Sequence, residues 1–435
     1  MWSRYFKLRS SGNKDKGISL IIENSPNGVY TVKVLQSVLT EHSETFRKMA
    51  QEGKFKNKKK IKLDQVTITA LHKILEYMET ETVTFENHTE TLETLTAALT
   101  YQIQAMQTIC VNNLITILET SNVCEIYDYA SSYHLNELEF HCLKLIDKHA
   151  EDVLKSRGFM TLPKATVLNI IKRNSLNINS EISVFQAVLG WGFNYCHRRS
   201  ISSDDTQKFI QDHKTLFENV RFLNMSKEEL KDPEVEKHYK LICAEEHLSK
   251  RKSMLESEAK PRSTTLDSSG AIPRQYATHY FYELDIYETD QQPVKNGEVF
   301  CISIEILKGK VFLTSVTLAL ETFAATKNTA CLYVVSTATN VLTNEQKTAR
   351  GTFMNTSEEA LLEFPNPLMA KESERIDIAL KVKRAENICP MMIKKDVQIA
   401  VSETKEVAMK VIPSIASDEC LEGERCIFKE IVYFY

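Results

Sequence analysis

The amino-acid sequence predicts a multidomain protein in which an α+β domain is followed by an all-α region and then by an antiparallel β-sandwich. Three patterns lead to this prediction. Two apolar runs separated by turn residues open the chain after residue 16, apolar residues then recur at helical spacing to about residue 247, and alternation begins near residue 300. The length of 435 residues corresponds to roughly three domains of about 150 residues each.

The amino-acid composition and net charge of the chain limit the classes of function that we expect. The chain is 43% hydrophobic and 26% charged, as globular proteins are, and its net charge of -4 gives no overall attraction to nucleic acids or membranes. The first residues lack the apolar core of a signal peptide, and no run of about 18 apolar residues exists to span a bilayer. The ten cysteines are scattered without a C-x-x-C pair, so we expect reduced thiols in a cytoplasmic protein, with the nucleus as the alternative.

The first domain opens with a hairpin signal, because Asn24-Ser25-Pro26-Asn27-Gly28 separates two apolar runs. One helix, a short strand over residues 61–66, a helix over Thr67–Glu79 and two further helices follow, which makes an α+β domain of about 100 residues. The residues expected to face the interior of these helices are Leu39, Phe46, Met49, Ile68, Leu71, Leu75, Met78, Leu92, Leu95, Leu99, Ile103, Met106 and Cys110.

The all-α region shows three amphipathic helices between Asn122 and Trp191 and weaker helical patterns to about residue 247. Asn179 or Ser180 can cap the third helix, with Glu181 in its first turn. The apolar positions assigned to the inner faces of the three helices are Ile126, Tyr129, Ala130 and Tyr133, then Leu138, Cys142 and Leu145, then Ile182, Phe185 and Leu189. Helices this short must bury these faces against one another.

The C-terminal segment follows a polar stretch over residues 248–270, which we interpret as a linker. Seven or more strands are expected beyond it, which is typical of an antiparallel sandwich. The clearest alternation runs through Phe300, Ile302, Ile304 and Ile306, and through Ile376, Ile378, Leu380 and Val382. A turn at Lys308-Gly309-Lys310 is expected to join the strand at Ile302 to the one that ends at Leu320.

The pattern of the first domain resembles the BTB/POZ family, and the all-α region resembles the BACK domain that often follows it. The residues that carry the first resemblance are Leu39, Ser43, Phe46, Met49, Ile61, Leu63, Val66, Leu75, Tyr77, Met78, Thr80, Val83, Ala98, Tyr101, Gln102, Ile103 and Cys110. Those that carry the second are Asn122, Val123, Ala130, Tyr133, Leu135, Leu138, Cys142, Phe159, Leu162, Leu176, Asn177, Ser180, Glu181, Val184, Phe185 and Trp191.

The C-terminal segment resembles the PHR domain, a jelly-roll-type sandwich. The matching pieces are the strand pair between Ile302 and Leu320, Phe364-x-x-Pro367, and the closing run Glu430–Phe434, although the segment has few of the family's glycines. Together the resemblances imply a tail at residues 1–16, a BTB/POZ domain at 17–118, a BACK domain at 119–247, a linker at 248–270 and a PHR-like sandwich at 271–435.

Two departures from the BTB/POZ pattern bear on function. The family's Ala-His-Lys motif falls on Val34-Leu35-Gln36. The family's hydrophobic-x-Glu element, which grips a cullin, falls on Lys54-Phe55-Lys56 or, one residue later, on Phe55-Lys56-Asn57. In neither alignment is there a glutamate at the last position. The candidate partner-binding residues are therefore Met49, Lys54, Phe55, Lys56 and Asn57. The loop GKFKNKKKIK has three interpretations: a solvated loop, a site for an acidic surface or phosphate, or a nuclear-import signal.

No nucleophile-elbow, zinc-protease, P-loop or dinucleotide motif occurs. We therefore predict no catalytic, cofactor-binding or metal-binding residues, and interpret His134, His141 and His149 as structural.

The resemblance implies a non-enzymatic adaptor that forms a homodimer through its BTB domain and docks a cullin-3 ubiquitin ligase, with an unidentified substrate protein held by the sandwich. Such a protein acts by tethering, which raises effective concentration. The alternatives are a self-associating scaffold that no longer binds cullin, or a nuclear regulator that uses Lys54–Lys62. Neither a membrane nor a nucleic acid is expected as a partner.

Overall fold

A computed structural model of the chain describes residues 17–25, 28–57, 60–199, 213–242, 274, 280–284, 286–289, 294–322, 331–354, 358–386, 388–389, 391–393, 398–401, 407–414, 424–426 and 428–435. The predicted tail at 1–16, the linker at 248–270 and the hairpin turn at Pro26-Asn27 lie outside these residues. The chain forms two compact units: residues 1–146 with 156–163, and residues 147–155 with 164–435. The helical region contributes to both.

The first unit begins with a three-stranded sheet in the order β2-β1-β3, formed by β1 (Gly17–Ser25), β2 (Gly28–Leu35) and β3 (Lys60–Lys62). The pairing of β1 with β2 is antiparallel and confirms the predicted hairpin, whereas β3 runs parallel to β1. Its helices are α1 (Gln36–His42), α2 (Glu44–Gln51), α3 (Lys54–Asn57), α4 (Ile68–Thr80), α5 (His88–Thr100), α6 (Gln104–Thr116), α7 (Val123–Ser132), most of α8 (Asn136–Lys148) and α10 (Arg157–Thr161).

The single helix predicted across Leu39, Phe46 and Met49 is two helices, because Ser43 ends α1 and caps α2. The Ser43 hydroxyl accepts a hydrogen bond from the Phe46 backbone N–H at 3.1 Å and donates one to the Tyr101 carbonyl at 2.6 Å. A side chain that satisfies a free N–H at a helix start favours a new start at that residue. Leu39 and Phe46 are buried as predicted, and Met49 is half-buried.

The first helix of the predicted all-α region, α7, buries Ile126 and Ala130 but leaves Tyr133 44% exposed, which corrects its assignment to the inner face. Tyr133 follows the last residue of α7, where the helix no longer fixes its direction, and its ring stacks on Tyr129 at 4.4 Å. Leu138 and Cys142 of α8 are fully buried, as predicted.

The helices of the second unit are the end of α8, α9 (Ala150–Lys155), α11 (Lys164–Ile171), α12 (Glu181–Arg198), α13 (Lys214–Phe217), α14 (Lys227–Leu230) and α15 (Pro233–Ile242), with a 3-10 turn at Phe222–Asn224. Ser180 caps α12, since its hydroxyl accepts from the Ile182 N–H at 3.3 Å. The buried face of α12 includes Val184, Phe185 and Trp191. Ile182 and Leu189 are only half-buried, because the interior face is rotated toward Glu181.

The sandwich of the second unit consists of antiparallel sheets, as predicted. Its strands are β4 (Tyr280–Glu283), β5 (Ile286–Thr289), β6 (Val299–Lys308), β7 (Lys310–Thr322), β8 (Cys331–Asn340), β9 (Gln346–Met354), β10 (Glu358–Lys371), β11 (Arg375–Glu386), β12 (Ile388–Cys389), β13 (Met391–Ile393), β14 (Gln398–Val401), β15 (Ala408–Ser414), β16 (Glu424–Cys426) and β17 (Phe428–Phe434). One main sheet has the order β10-β7-β17-β4 with β12 beside β7, and the other has the order β14-β15-β6-β11-β8-β9. A small sheet, β16-β13-β5, accompanies them.

The alternation predicted for β6 and β11 is confirmed, because Ile302, Ile304, Ile378 and Leu380 are all at most 1% exposed. The turn predicted at Lys308-Gly309-Lys310 does join β6 to β7, but the two strands belong to different sheets. Gly309 has a φ of +88°, a left-handed conformation that glycine adopts without strain and that redirects the chain between the sheets.

A buried ion pair of Arg274 and a hydrogen bond of Arg173 join the helices of the second unit to the C-terminal segment. Arg274 makes a bidentate contact with Glu181 of α12, with Nε–Oε1 at 2.7 Å and Nη2–Oε2 at 3.2 Å, and the side chains are 2% and 4% exposed. Arg173 pairs with Asp147 at 2.6 Å and donates to the Tyr435 carbonyl at 2.8 Å. The guanidinium of Arg173 also lies 5.3 Å from the Phe434 ring centroid. These contacts fix the helices and the sandwich within one unit.

Candidate partner-binding surface

The candidate partner-binding residues lie on α2 and α3, which pack against the core of the first unit. Phe46 of α2 stacks on Tyr101 at a centroid distance of 5.1 Å, and the Tyr101 hydroxyl accepts from the Asp64 backbone N–H at 3.0 Å. Burial raises the pKa of Tyr101, so its hydroxyl stays protonated over the physiological range. This contact ties the start of α2 to the chain that follows β3.

The candidates themselves differ in accessibility. Met49 is half-buried and Lys54 is exposed, whereas Phe55 is only 3% exposed. Phe55 therefore packs into the interior, and a partner that approaches this surface meets Met49 and Lys54 first. Lys56 and Asn57 belong to α3, and their side chains lie outside the described residues.

Both described ends of the lysine-rich loop carry a neutralising carboxylate. Lys54 Nζ lies 2.7 Å from Glu52 Oε2, and Lys62 Nζ lies 2.7 Å from Glu23 Oε2 on β1. The hydrogen bond and charge of Glu23 raise the pKa of Lys62 above its ordinary value. Lys60 is exposed, and Lys58 and Lys59 lie outside the described residues. At these two ends of the loop, each paired carboxylate therefore offsets part of the lysine's charge.

The first unit also holds α5 against α7, the first helix beyond the α+β domain. The hydroxyl groups of Thr96 and Tyr129 lie 2.8 Å apart, and His88 Nε2 lies 3.1 Å from Glu125 Oε2. Burial is the main cause of the raised pKa of Tyr129. These two polar contacts, one turn apart on α7, hold α7 against α5 within the first unit.

The described cysteines lack the features of reactive thiols. Cys110, Cys124 and Cys142 are buried, and burial raises the pKa of Cys110 to about 12 and that of Cys124 to about 11. Thiols are nucleophilic as thiolates, so these two remain unreactive at neutral pH. Within the described ranges, no group of three or more His, Cys, Asp or Glu side chains could hold a metal ion, and no helix is long and apolar enough to cross a bilayer.

Sequence reasoning missed the polar residues that position this architecture. The Glu23–Lys62 pair joins positions far apart in sequence, and the sequence presents Glu181 as a first-turn acid of α12 and as a position of the BACK resemblance, without its ion pair. The sequence gives only a weak signal that Glu181 is buried, since an acid at the start of a helix is usually explained by the helix dipole alone. Its partner Arg274 has no sequence pattern that would reveal it.

Two family models match the chain. The BTB/POZ domain model matches residues 27–118, and the BACK model, described as BTB And C-terminal Kelch, matches residues 123–233. The human BTB/POZ domain-containing protein 6 is 33% identical over 176 residues, which cover 40% of this chain and 32% of that protein. BTB/POZ domain-containing protein 6-B of Danio rerio is 31% identical over 204 residues, 47% of this chain and 42% of that protein.

A third relative, BTB/POZ domain-containing protein 9 of Bos taurus, is 35% identical over 133 residues, which cover 30% of this chain and 22% of that protein. The alignments thus span between about a fifth and two fifths of the length of these relatives. The order of the two family matches agrees with the α+β fold of the first domain and with the helices that follow it. The chain therefore contains a BTB/POZ domain followed by a BACK domain, and an antiparallel β-sandwich forms its C-terminal part.

Proposed function

We propose that this protein is a non-enzymatic adaptor that self-associates through its BTB domain and holds a client protein with its PHR-like sandwich. The observation that carries the proposal is the order of a BTB domain, a BACK domain and a sandwich in one chain. A recognition module attached to a self-association module raises the local concentration of whatever each binds. A two-fold dimer would present two sandwiches.

More specifically, we propose that the adaptor is a substrate-recognition subunit of a cullin-3 ubiquitin ligase. The surface formed by Met49 and Lys54, with α3 beside it, is where the cullin would dock. Because the acid of the family element is absent at Lys56 and Asn57, we expect weaker docking than that element would give. The tethered client would be brought close to the ubiquitin-carrying enzyme without any proton transfer by this chain.

The test is co-elution of the purified full chain with purified cullin-3 on a sizing column at micromolar concentration. The expected result is a complex whose affinity rises when Asn57→Glu or Lys56→Glu restores an acid. Lys33→Glu, an exposed substitution on β2 with the same charge change as Lys56→Glu, is the matched control for that variant and should leave binding unchanged. Failure of both the parent and the acid variants to co-elute contradicts the cullin assignment.

The second candidate is a self-associating scaffold without cullin, and the missing acid together with the burial of Phe55 favours it. It predicts a dimer mass by light scattering and no cullin complex with any variant. A monomeric mass would contradict both candidates.

We also propose a cytoplasmic location, with nuclear regulation through Lys54–Lys62 as the alternative. A fluorescent fusion of the full chain distinguishes them. Nuclear signal that is lost when the six lysines of this loop become alanine would favour the nuclear alternative, and a cytoplasmic signal in the parent would rule it out.

A further inference from the structure

The outward face of the six-stranded sheet is divided into a neutralised half and a cationic half. The register aligns Val299, Lys381, Val335 and Arg350 as neighbours across β6, β11, β8 and β9. Directly paired residues of antiparallel strands project to the same face. That face is the outer one, because the flanking Leu380 is buried in the core and Lys381 is exposed.

The neutralised half consists of cations that already have carboxylate partners. Arg375 Nε lies 3.0 Å from Asp377 Oδ1, and Lys410 Nζ lies 3.5 Å from Glu305 Oε2. Asp377 also accepts a hydrogen bond from the Ser303 hydroxyl at 2.6 Å. Exposed pairs of this kind leave little net field for a ligand.

The cationic half, which consists of Arg350, Lys381 and Lys383, has no such partners. All three residues are exposed, and none has an ion-pair partner among the residues that the structure describes. Lys383 lies at a bulge, where the register with β8 shifts between Val382 and Arg384. Lys383 is two residues from Lys381 on β11, so their backbones are about 7 Å apart along the strand.

A carboxylate near the cationic half, that of Glu298, is engaged elsewhere. Glu298 Oε2 accepts a hydrogen bond from the Lys295 backbone N–H at 2.9 Å, so it closes the turn before β6. Apolar surface lies among the cations, since Val299 is 36% exposed and Tyr333 and Val335 are half-buried. The face therefore combines uncompensated positive charge with shallow apolar contacts.

We propose that this cationic half binds an extended acidic segment of a client protein. Arg350 and Lys381 stand on strands separated by one other strand, so their backbones are about 10 Å apart. An extended polyproline-type chain brings every third side chain to one side at intervals of about 9 Å. Acidic residues about three positions apart, with apolar residues among them, therefore complement both the charge and the spacing.

This inference deepens the proposed function and rests on it, because it assigns the chemistry of the client that the sandwich holds. The probe is a fluorescein-labelled peptide of Glu-Val-Pro repeats, titrated with the full chain and followed by anisotropy. We expect saturable binding that weakens as salt rises. A peptide in which glutamine replaces every glutamate should bind at least about tenfold more weakly.

The triple variant R350E/K381E/K383E should lose binding by about tenfold or more. The matched control is K172E/K231E/K371E, which makes the same charge change at exposed lysines elsewhere in the second unit and should bind like the parent. The neutral variant R350Q/K381Q/K383Q is included because charge reversal could disturb folding, and its melting temperature is measured as well. It should also lose peptide binding, and its melting temperature should equal that of the parent.

Equal affinity of the parent and the neutral variant for the acidic peptide would overturn the proposal. So would tighter binding of a labelled single-stranded DNA through the same three residues, which would reassign the face to nucleic acid. Cullin-3 is absent from this titration, so its outcome is independent of the docking test. Peptide binding without cullin co-elution leaves this surface assigned and removes only the ligase.

Discussion

At the scale of single residues, the burial of Glu181 differs from what its position in the sequence predicts. This residue occupies the first turn of α12, where a carboxylate normally stays in water beside the helix N-terminus. Instead it is 4% exposed, bonded to Arg274, and its Oε2 also accepts from the Arg221 backbone N–H at 3.3 Å. A charge in such a place is tolerated only when its hydrogen bonds are complete. Glu181 therefore acts as an anchor between helix and sandwich.

We predict that Glu181→Gln lowers the free energy of unfolding by about 3 kcal/mol, because it leaves the Arg274 guanidinium buried without a countercharge. The measurement is urea denaturation followed by Trp191 fluorescence in a Trp2→Phe background. The exposed substitution Glu228→Gln is the control and should change stability little. The double variant E181L/R274M should be closer to the parent than Glu181→Gln, since it removes both charges together. A Glu181→Gln loss below about 0.5 kcal/mol would contradict the anchor role.

The sequence allowed the apolar interior to be predicted well at this scale, and the exceptions have a physical reason. Phe185 is buried as its spacing on α12 indicates. Ile182 and Leu189 are less buried than expected because periodicity defines a face but not its rotation toward a particular neighbour. On α12 the buried Glu181–Arg274 ion pair occupies the centre of the interior face, and a hydrophobic pattern in the sequence does not indicate such a pair.

At the scale of elements, a single side chain organises one end of the sandwich. Asn340 ends β8 and is fully buried. Its Nδ2 donates to the Met369 carbonyl at 2.9 Å and to Glu374 Oε2 at 2.8 Å, while its Oδ1 accepts from the backbone N–H groups of Leu342 and Thr343 at 3.1 and 3.2 Å. The β8–β9 loop, the end of β10 and the β10–β11 turn are thereby held together. Leu342 at the tip is 74% exposed on this fixed loop.

We predict that Asn340→Ala destabilises the sandwich by about 3 kcal/mol, because it leaves several buried polar groups without partners. Hydrogen exchange should show faster exchange of the Leu342 and Thr343 amides, whereas strands distant from the loop remain protected. Asn344→Gly is the matched control, since Asn344 has a φ of +56° that glycine adopts freely. Unchanged exchange at both amides in Asn340→Ala would show that the loop is held by other contacts.

Strand existence was readable from the sequence, but strand partnership was not. The alternation of β6 and β7 is local, whereas their membership of different sheets depends on pairings with β11, β15, β10 and β17 that are distant in sequence. The same limit applies to the candidate surface. The lysine-rich loop is visible as a charge run, but the Glu23 that pairs with Lys62 lies on another strand. Long-range pairing is the information that local pattern lacks.

At the scale of the whole molecule, the BACK helices are more than a passive spacer between two independent modules. The second unit combines residues 147–155 and 164–242 with the sandwich, and the Arg173 and Arg274 contacts cross between them. For an adaptor, rigidity here has a direct benefit. If the sandwich binds a client as proposed, that client would keep a fixed orientation to the helices, and the tether would retain its effective concentration instead of losing it to flexible motion.

We predict that the C-terminal helices of the BACK domain depend on the sandwich for stability. In the Trp2→Phe background, thermal unfolding of the full chain should show the Trp191 transition together with the loss of the β-sheet circular dichroism signal, because both belong to one compact unit. In a chain that ends at residue 247, Glu181 loses its contact with Arg274, and Arg173 loses its hydrogen bond to the Tyr435 carbonyl. The midpoint temperature of the Trp191 transition should then fall by several degrees, as a loss of about 2–3 kcal/mol implies.

The full chain with E181L/R274M is the control for the ion pair alone, and its midpoint temperature should fall less. Equal Trp191 transitions in the full and shortened chains would instead mean that the helices and the sandwich fold independently, and the adaptor would then work as linked modules with a flexible joint.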